Sequence, residues 1–393
     1  VLSVSDARAR LIGAVQALTA EEVPIGAALD RVAAEPIHAI RDQPPFAASA
    51  MDGYAFRAEN APCSYTLVGE SAAGSAFTRT LAPGEAVRIS TGAPLPLGAD
   101  TVLAQEDAKV EHGRLIGANS RAGRHVRQRA GDFAAGAVLL EKGRKLDPVA
   151  LALAASAGRD RLKVTREPRV EIMAGGDEVV APGGDVRDDQ VFESGSFAVC
   201  GLAEKWGGRA TRGAILPDNQ ASIETAALAA LARSDLLVLI GGASVGPHDH
   251  ARAALEQLGF VIQFDKVSVR PGKPTWFGVS PHGKVLGLPG NPASAIVCSI
   301  LFLKPIIDAM LGAQATFAPV TRRAPLAHAL SANGARESYL RARLDADDRL
   351  RVFDDQDSSL LSVFAHANAL IQRPANTGPA AEGELIPYLS LDF

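Results

Sequence analysis

Between residues 168 and 315, short apolar runs alternate with helix-patterned stretches, and three of the runs end in glycine-bearing turns. Arg169-Val170-Glu171-Ile172-Met173-Ala174 enters Gly175-Gly176-Asp177-Glu178. Asp235 to Ile240 enters Gly241-Gly242-Ala243-Ser244-Val245-Gly246, with Asp249 opening the next helix. Val285 to Leu288 enters Pro289-Gly290-Asn291-Pro292-Ala293-Ser294. A further strand is expected near Ala210 to Leu216, and helices near Phe197 to Trp206, Asn219 to Ala232, Asp249 to Leu258 and Asn291 to Met310. Regular strand–helix alternation with continuous apolar strands predicts a parallel, doubly wound sheet. Ligands of such sheets sit beyond the carboxyl ends of the strands, where all three turns fall.

The flanks read differently. Residues 3–20 carry Leu11, Ile12, Val15 and Leu18 at helical spacing behind a possible Ser3 or Ser5 cap, and Ile25 to Ala34 reads as a second short helix. Asp42-Gln43-Pro44-Pro45-Phe46 breaks the pattern. Residues 50–140 hold short apolar runs punctuated by glycine, the texture of a β-rich module, before a helix at 147–158 with an Asp cap and Pro in its first turn. The expectation is multidomain, α/β plus β: a helical stalk (1–48 and 138–167), an inserted β-rich module (49–137), a doubly wound α/β domain (168–317) and a β-barrel-like C-terminal domain (318–393).

A net charge of −4 gives no polybasic surface, so neither nucleic acid nor a membrane is expected as partner. Cys63, Cys200 and Cys298 form neither a disulfide framework nor a zinc pattern, which fits a reducing cytoplasm. No charged and apolar leader opens the sequence. Ala295 to Met310, interrupted by Lys304, Pro305 and Asp308, reads as too short and broken to span a bilayer.

Glycines admit a ligand close to the backbone, and the helix starts behind them favour anions. Each turn alone is an ordinary strand-to-helix turn; three on one rim suggest a phosphate-bearing ligand. Candidate contacts are Gly242, Ser244, Gly246, Pro289, Gly290, Asn291 and Ser294. Lys266, Arg270 and Lys273 cluster around Val267-Ser268-Val269-Arg270-Pro271-Gly272-Lys273-Pro274, a set suited to an oxyanion. Asp177, Glu178 and Asp249 on the same rim would repel phosphate unless Mg²⁺ intervened. His248 and His250, two residues apart, do not face each other on a helix and read as surface groups.

Seven motifs in order resemble the molybdopterin molybdotransferase family, the MoeA-type molybdenum insertion enzymes related to the gephyrin E domain. They are Pro45-Phe46 with Ser49-Ala50-Met51-Asp52-Gly53-Tyr54-Ala55, Ser90-Thr91-Gly92-Ala93-Pro94, the 241–249 turn, Arg270-Pro271-Gly272-Lys273-Pro274, Gly287-Leu288-Pro289-Gly290-Asn291-Pro292, and Arg341 and Ser358 with Ala367-Asn368-Ala369. The resemblance spans essentially the whole chain. It implies an elongated homodimer of four domains per subunit, the α/β one Mog-like, that loads molybdate onto molybdopterin-AMP and releases AMP with Mg²⁺. It implies an adenylyltransferase upstream and cofactor-accepting enzymes downstream as possible partners. It puts Asp249 and Glu178 at the metal and nucleotide, Asp218 nearby, and Asp52 and Thr91 on the facing side of the cleft. Arg270, Lys273, Arg341 and Ser358 would hold molybdate, with Lys266 as a further basic position. Three departures stand out: Arg270 where Lys is frequent, Glu193-Ser194-Gly195 where Asp-Ser/Thr-Asn is usual, and Gly176 where Thr is common. They leave room for a paralogue preferring tungstate. Other readings are a Mog-like adenylyltransferase or nucleotide pyrophosphatase and, least, a non-catalytic scaffold.

Overall fold

A computed structural model of the 393-residue chain describes residues 1–59, 61, 63–241, 250–313 and 321–391. Helix α1 (Val4–Gly13) starts because the Ser3 hydroxyl accepts the Asp6 N–H (3.0 Å) and buries Val4, Ala7 and Leu11. It stops short of the expected residue 20. Leu18 instead donates its N–H to the Met310 carbonyl (2.7 Å), and the chain continues as the strand Ala20–Pro24. The helix expected at 25–34 shrinks to a 3₁₀ turn, Ile25–Ala27. Asp30 lies at φ +63° and donates to Leu146, while Val32 and Ala33 bridge Lys145 and Val164, so tertiary strand pairing overrides helical propensity there. Helix α2 (Pro148–Ser156) has the expected Asp147 cap, which accepts the Ala150 N–H (2.8 Å). The expected helical stalk therefore consists of paired short strands around α2, while α1 packs into the α/β core.

The inserted segment forms a six-stranded sheet, in the order Thr101–Ala104, Gly53–Phe56, Glu85–Ile89, Cys63–Ser71, Arg114–Ala118, Val110–Glu111. Its alternating side chains bury Ala55, Val87 and Val102 in one cluster and Phe56, Tyr65 and Leu115 in another.

The central sheet comprises β1 (Arg169–Ala174), β2 (Arg209–Arg212), β3 (Leu236–Ile240), β4 (Val261–Phe264), β5 (Trp276–Ser280) and β6 (Gly283–Leu288), ordered β2-β1-β3-β6-β5-β4. The first four in that order are parallel; β5 alone runs antiparallel, pairing with β6 on one side and with the edge strand β4 on the other, where the sequence suggested a parallel sheet throughout. The hairpin between Ser280 and Gly283 is too short for a crossover, so β5 and β6 must be antiparallel. Helices α3 (Gly195–Lys205), α4 (Gln220–Leu231), α5 (His250–Gln257) and α6 (Pro292–Leu311) cover both faces. Val170, Ile172, Leu236, Val238 and Leu286 pack with α1, α3 and α6, and Met173, Leu237, Leu239 and Val285 with α4 and α5. Although α6 is long and apolar enough to cross a membrane, 94% of its apolar window is buried in the protein. Its π-helical turn, Ser299–Leu303, precedes Pro305, whose ring would clash with a carbonyl four residues back in a regular helix.

In the C-terminal part, strands Glu337–Leu344, Ala369–Arg373, Leu385–Ser390 and Thr321–Pro325 are consecutive neighbours. Leu350–Val352 pairs with the first of them, and the Leu326–Leu350 bridge closes the ring around Leu326, Ala342, Ile371 and Tyr388. The short strand Val269–Arg270 joins in parallel, Val269 opposite Glu337 and Arg270 opposite Ser338. The basic turn is thereby bonded to the C-terminal sheet.

Candidate active site

A cleft of about 700 Å³ opens beyond the carboxyl ends of β1, β3 and β6, as the three turns predict. Its walls include Gly176, Glu178, Asp218, Gly241, Pro289, Gly290 and Asn291 from the central domain, and Ser359 and Leu361 from the C-terminal part. The cleft lies where those two parts meet.

Gly241 carries the floor. Its φ is +84°, and a Cβ there would sit 2.6 Å from the Gly175 carbonyl oxygen, so only glycine lets β1 and β3 end this close together. On the β1 turn, the Asp177 carboxylate accepts the Asp218 N–H (3.0 Å), tying it to the loop before α4. Gly176 has φ +137°, and a Cβ there would lie 2.6 Å from a Glu178 carboxylate oxygen. The glycine at this unusual position is what permits Glu178 to fold back over the turn.

Two helices begin at the cleft. At α3, Glu193 is 5% exposed and its carboxylate accepts both the N–H and the hydroxyl of Ser196 (2.6 Å each). That helix start already holds a carboxylate. At α6, Asn291 occupies the cap position but makes no capping bond. Its amide Nδ2 instead donates to Ser358 Oγ (2.8 Å), in the C-terminal part. The first turn of α6 keeps its N–H groups without a side-chain cap, the arrangement that suits an anion. Ser294 is buried within that turn and does not line the cleft.

The cations divide. Arg270 and Lys273 are exposed on a turn closed by the Val267 N–H on the Lys273 carbonyl (3.0 Å), and Pro274 of that turn borders the cleft. Lys266 lines a separate 400 Å³ cavity with Arg10, Arg252 and Asp265. Arg341 is 3% exposed on strand Glu337–Leu344, and burial lowers its pKa against the pull of Asp355 and Asp357. Its guanidinium donates to the carbonyls of Leu360 (2.9 Å), Asp357 (2.8 Å) and Asp355 (3.5 Å) and to Gln356 Oε1 (3.4 Å).

Asp52 and Thr91 come together on the inserted module, and neither lines the cleft of this chain. The Thr91 N–H donates to the Asp52 carboxylate (2.6 Å) and holds its pKa below the usual range. Gly242, Ser244, Gly246, Asp249 and His248 lie outside the described residues. His250 is half-buried at the start of α5. Among the described residues no three His, Cys, Asp or Glu side chains converge as a metal cage. The sequence reading left out Glu193, Gln356, Ser359 and Leu361 as site residues. Ser359 was signalled by its neighbour Ser358, whereas Gln356 carried no motif.

Three families match consecutive stretches: the MoeA N-terminal region (domain I and II) over 2–158, the probable molybdopterin binding domain over 171–309, and the MoeA C-terminal region (domain IV) over 323–391. A molybdopterin molybdenumtransferase of Nostoc is 33% identical over 94% of this chain and 88% of its own. One from Haemophilus influenzae is 32% identical over 98% of both. The crystal structure of a molybdopterin biosynthesis MoeA protein from Pyrococcus horikoshii superposes with TM-score 0.85 at 26% identity, covering 99% of both chains.

Proposed function

The chain belongs to the family of molybdopterin molybdenumtransferases, enzymes of molybdenum cofactor biosynthesis, and from that premise we propose that the cleft loads molybdate onto molybdopterin-AMP with release of AMP. The observation that carries this reading is the uncapped start of α6, facing the same cleft as Glu178 and Asp218, with Pro274 of the basic turn at its border. The N–H groups of α6 take a phosphate, and Gly241 and Gly290 admit it close to the backbone. Arg270, Lys273 and the Ser358 hydroxyl orient the tetrahedral oxyanion beside it. Glu178 and Asp218 make no ion pair among the described residues, and two free carboxylates beside a phosphate site fit Mg²⁺, which takes few protein carboxylates plus substrate oxygens. Asp249, outside the described residues, is the third candidate ligand. The metal would supply charge neutralisation at the phosphoanhydride.

Asp52 and Thr91 do not line this chain's cleft, which supports a homodimer in which each subunit presents them to its partner. The Gly176 and Glu193 departures supply no cation or hydrogen-bond donor that selects between oxyanions, so tungstate enters as an arm of the test. Purified protein is mixed with molybdopterin-AMP and Mg²⁺, and AMP release is followed with and without micromolar molybdate or tungstate. Molybdate-dependent release, reduced about 100-fold in Lys273→Ala, is the expected result. Equal release without any oxyanion would favour a nucleotide pyrophosphatase and overturn the proposal.

A further inference from the structure

The Arg270–Lys273 turn is held at its base by backbone. The Val267 N–H donates to the Lys273 carbonyl (3.0 Å), the Ser268 N–H to the Leu2 carbonyl (2.7 Å) and the Glu337 N–H to the Ser268 carbonyl (3.1 Å). Its tip is held differently, by two side chains that converge on Gly272. Thr275 is fully buried and donates to the Gly272 carbonyl from its N–H (3.1 Å) and from its hydroxyl (2.8 Å). Cys298, also fully buried, meets them from α6. Its Sγ lies 3.1 Å from the Thr275 hydroxyl, and its thiol donates to the same carbonyl (3.9 Å). Gly272 has φ +115°, and a Cβ there would sit 2.1 Å from Cys298 Sγ, so the turn rests directly on the sulfur. Arg270 and Pro271 border the same helix at Ala293 and Val297, around a cavity of about 10 Å³. That helix begins at the cleft, with Asn291 in its cap position.

We propose that Thr275 and Cys298 are positioning residues: they seat the tip of the basic turn on α6 and so fix where Arg270 and Lys273 stand relative to the start of that helix. Neither lines the cleft, so each acts through the turn. Both cations are exposed, and a long exposed side chain is placed no better than the backbone that bears it. A small displacement of that backbone weakens contacts that depend on geometry. The Gly272 carbonyl, buried under the turn, needs its donors as well. The inference rests on the insertion reading only for its effect on molybdate; the seating itself is tested without substrate.

The test compares full-length Thr275→Val, Thr275→Ser and Cys298→Ala with the parent by two readouts. Hydrogen exchange of peptides covering 266–276, measured by mass spectrometry without ligand, should quicken about tenfold in Thr275→Val and Cys298→Ala. It should stay near the parent in Thr275→Ser, which keeps the hydroxyl. In molybdate-dependent AMP release, the half-saturating molybdate concentration should rise about tenfold in the same two variants, with the maximal rate within about twofold of the parent. Thr275→Ser should keep the parent's value. The two positions lie on different elements, so one variant stays informative if the other fails to fold. Unchanged exchange at the turn in either variant, or exchange quickened throughout the central domain alike, would overturn the seating. Faster exchange at the turn with an unmoved half-saturating concentration would overturn its bearing on the oxyanion. Absence of molybdate-dependent release in the parent counts against the insertion reading instead, while the exchange comparison still judges the seating.

Discussion

Asp235, just ahead of β3, shows what one carboxylate does in this fold. Arg166 donates to both of its oxygens (2.7 Å each), and the Arg169 N–H donates to it as well (2.8 Å). Burial alone would raise its pKa; the bonds from Arg166 and Arg169 and their charges outweigh that and hold it below the usual value. A depressed folded-state pKa means stability that is present above the unfolded value, about 3.9, and lost as pH falls through the folded one. Asp235→Asn should therefore cost about 2 kcal/mol near neutral pH, and the gap to the parent should close below about pH 4, as read by urea unfolding. A gap that persists at pH 2.5 would mean that shape rather than charge is lost. The cysteines act at the same scale: burial pushes Cys200 and Cys298 up to about 12, so both behave as core hydrophobes rather than nucleophiles.

Among the elements, the tips of β1 and β3 approach too closely to admit a side chain between them. Gly241 combines positive φ with a carbonyl 2.6 Å from where a Cβ would be; Gly74 has φ +78° and open space around it. Gly74→Ala should cost about 1 kcal/mol through backbone strain alone. Gly241→Ala should cost more, about 2–3 kcal/mol, because the strand ends must also separate. Thermal unfolding of the two variants reads the difference, and equal costs would rule out the close approach as the constraint. Helix α6 serves two purposes in the proposed reading: its flanks fill the core, and its first turn is left for the anion. Burial and function are thus separated along one element, with Asn291 turned towards Ser358 where a helix cap would normally face inward.

For the molecule as a whole, the decisive question is whether one subunit completes the other's cleft. Asp52→Asn and Lys273→Ala subunits, each inactive alone, should recover about a quarter of parental activity when unfolded and refolded together. Half of the dimers are then mixed, and each mixed dimer keeps one intact cleft. Failure to recover activity, with mixed dimers present by mass spectrometry, would place Asp52 and Lys273 in the same chain's site or take Asp52 out of it.

Much of the architecture was legible in the order of residues. The apolar runs at 169–174, 235–240 and 285–288, each followed by glycine and then helix periodicity, determine a wound sheet with its cleft at the turns, because strand and helix spacing are local properties of the chain. The motif residues Glu178, Asp218, Pro289, Gly290 and Asn291 line that cleft for the same reason. Tertiary structure alone decided the rest. It ended α1 at Gly13, because a carbonyl of α6 takes the Leu18 N–H, and it left 25–34 as a 3₁₀ turn followed by isolated bridges at Val32 and Ala33. It placed Lys266 in a cavity apart from the cleft that Pro274 borders, although Lys266 stands only seven positions before Lys273 in the sequence. It engaged Arg341 with loop carbonyls rather than with open solvent. A sequence lists which donors exist; which acceptor each one meets depends on segments dozens to hundreds of residues away, and only packing brings those together.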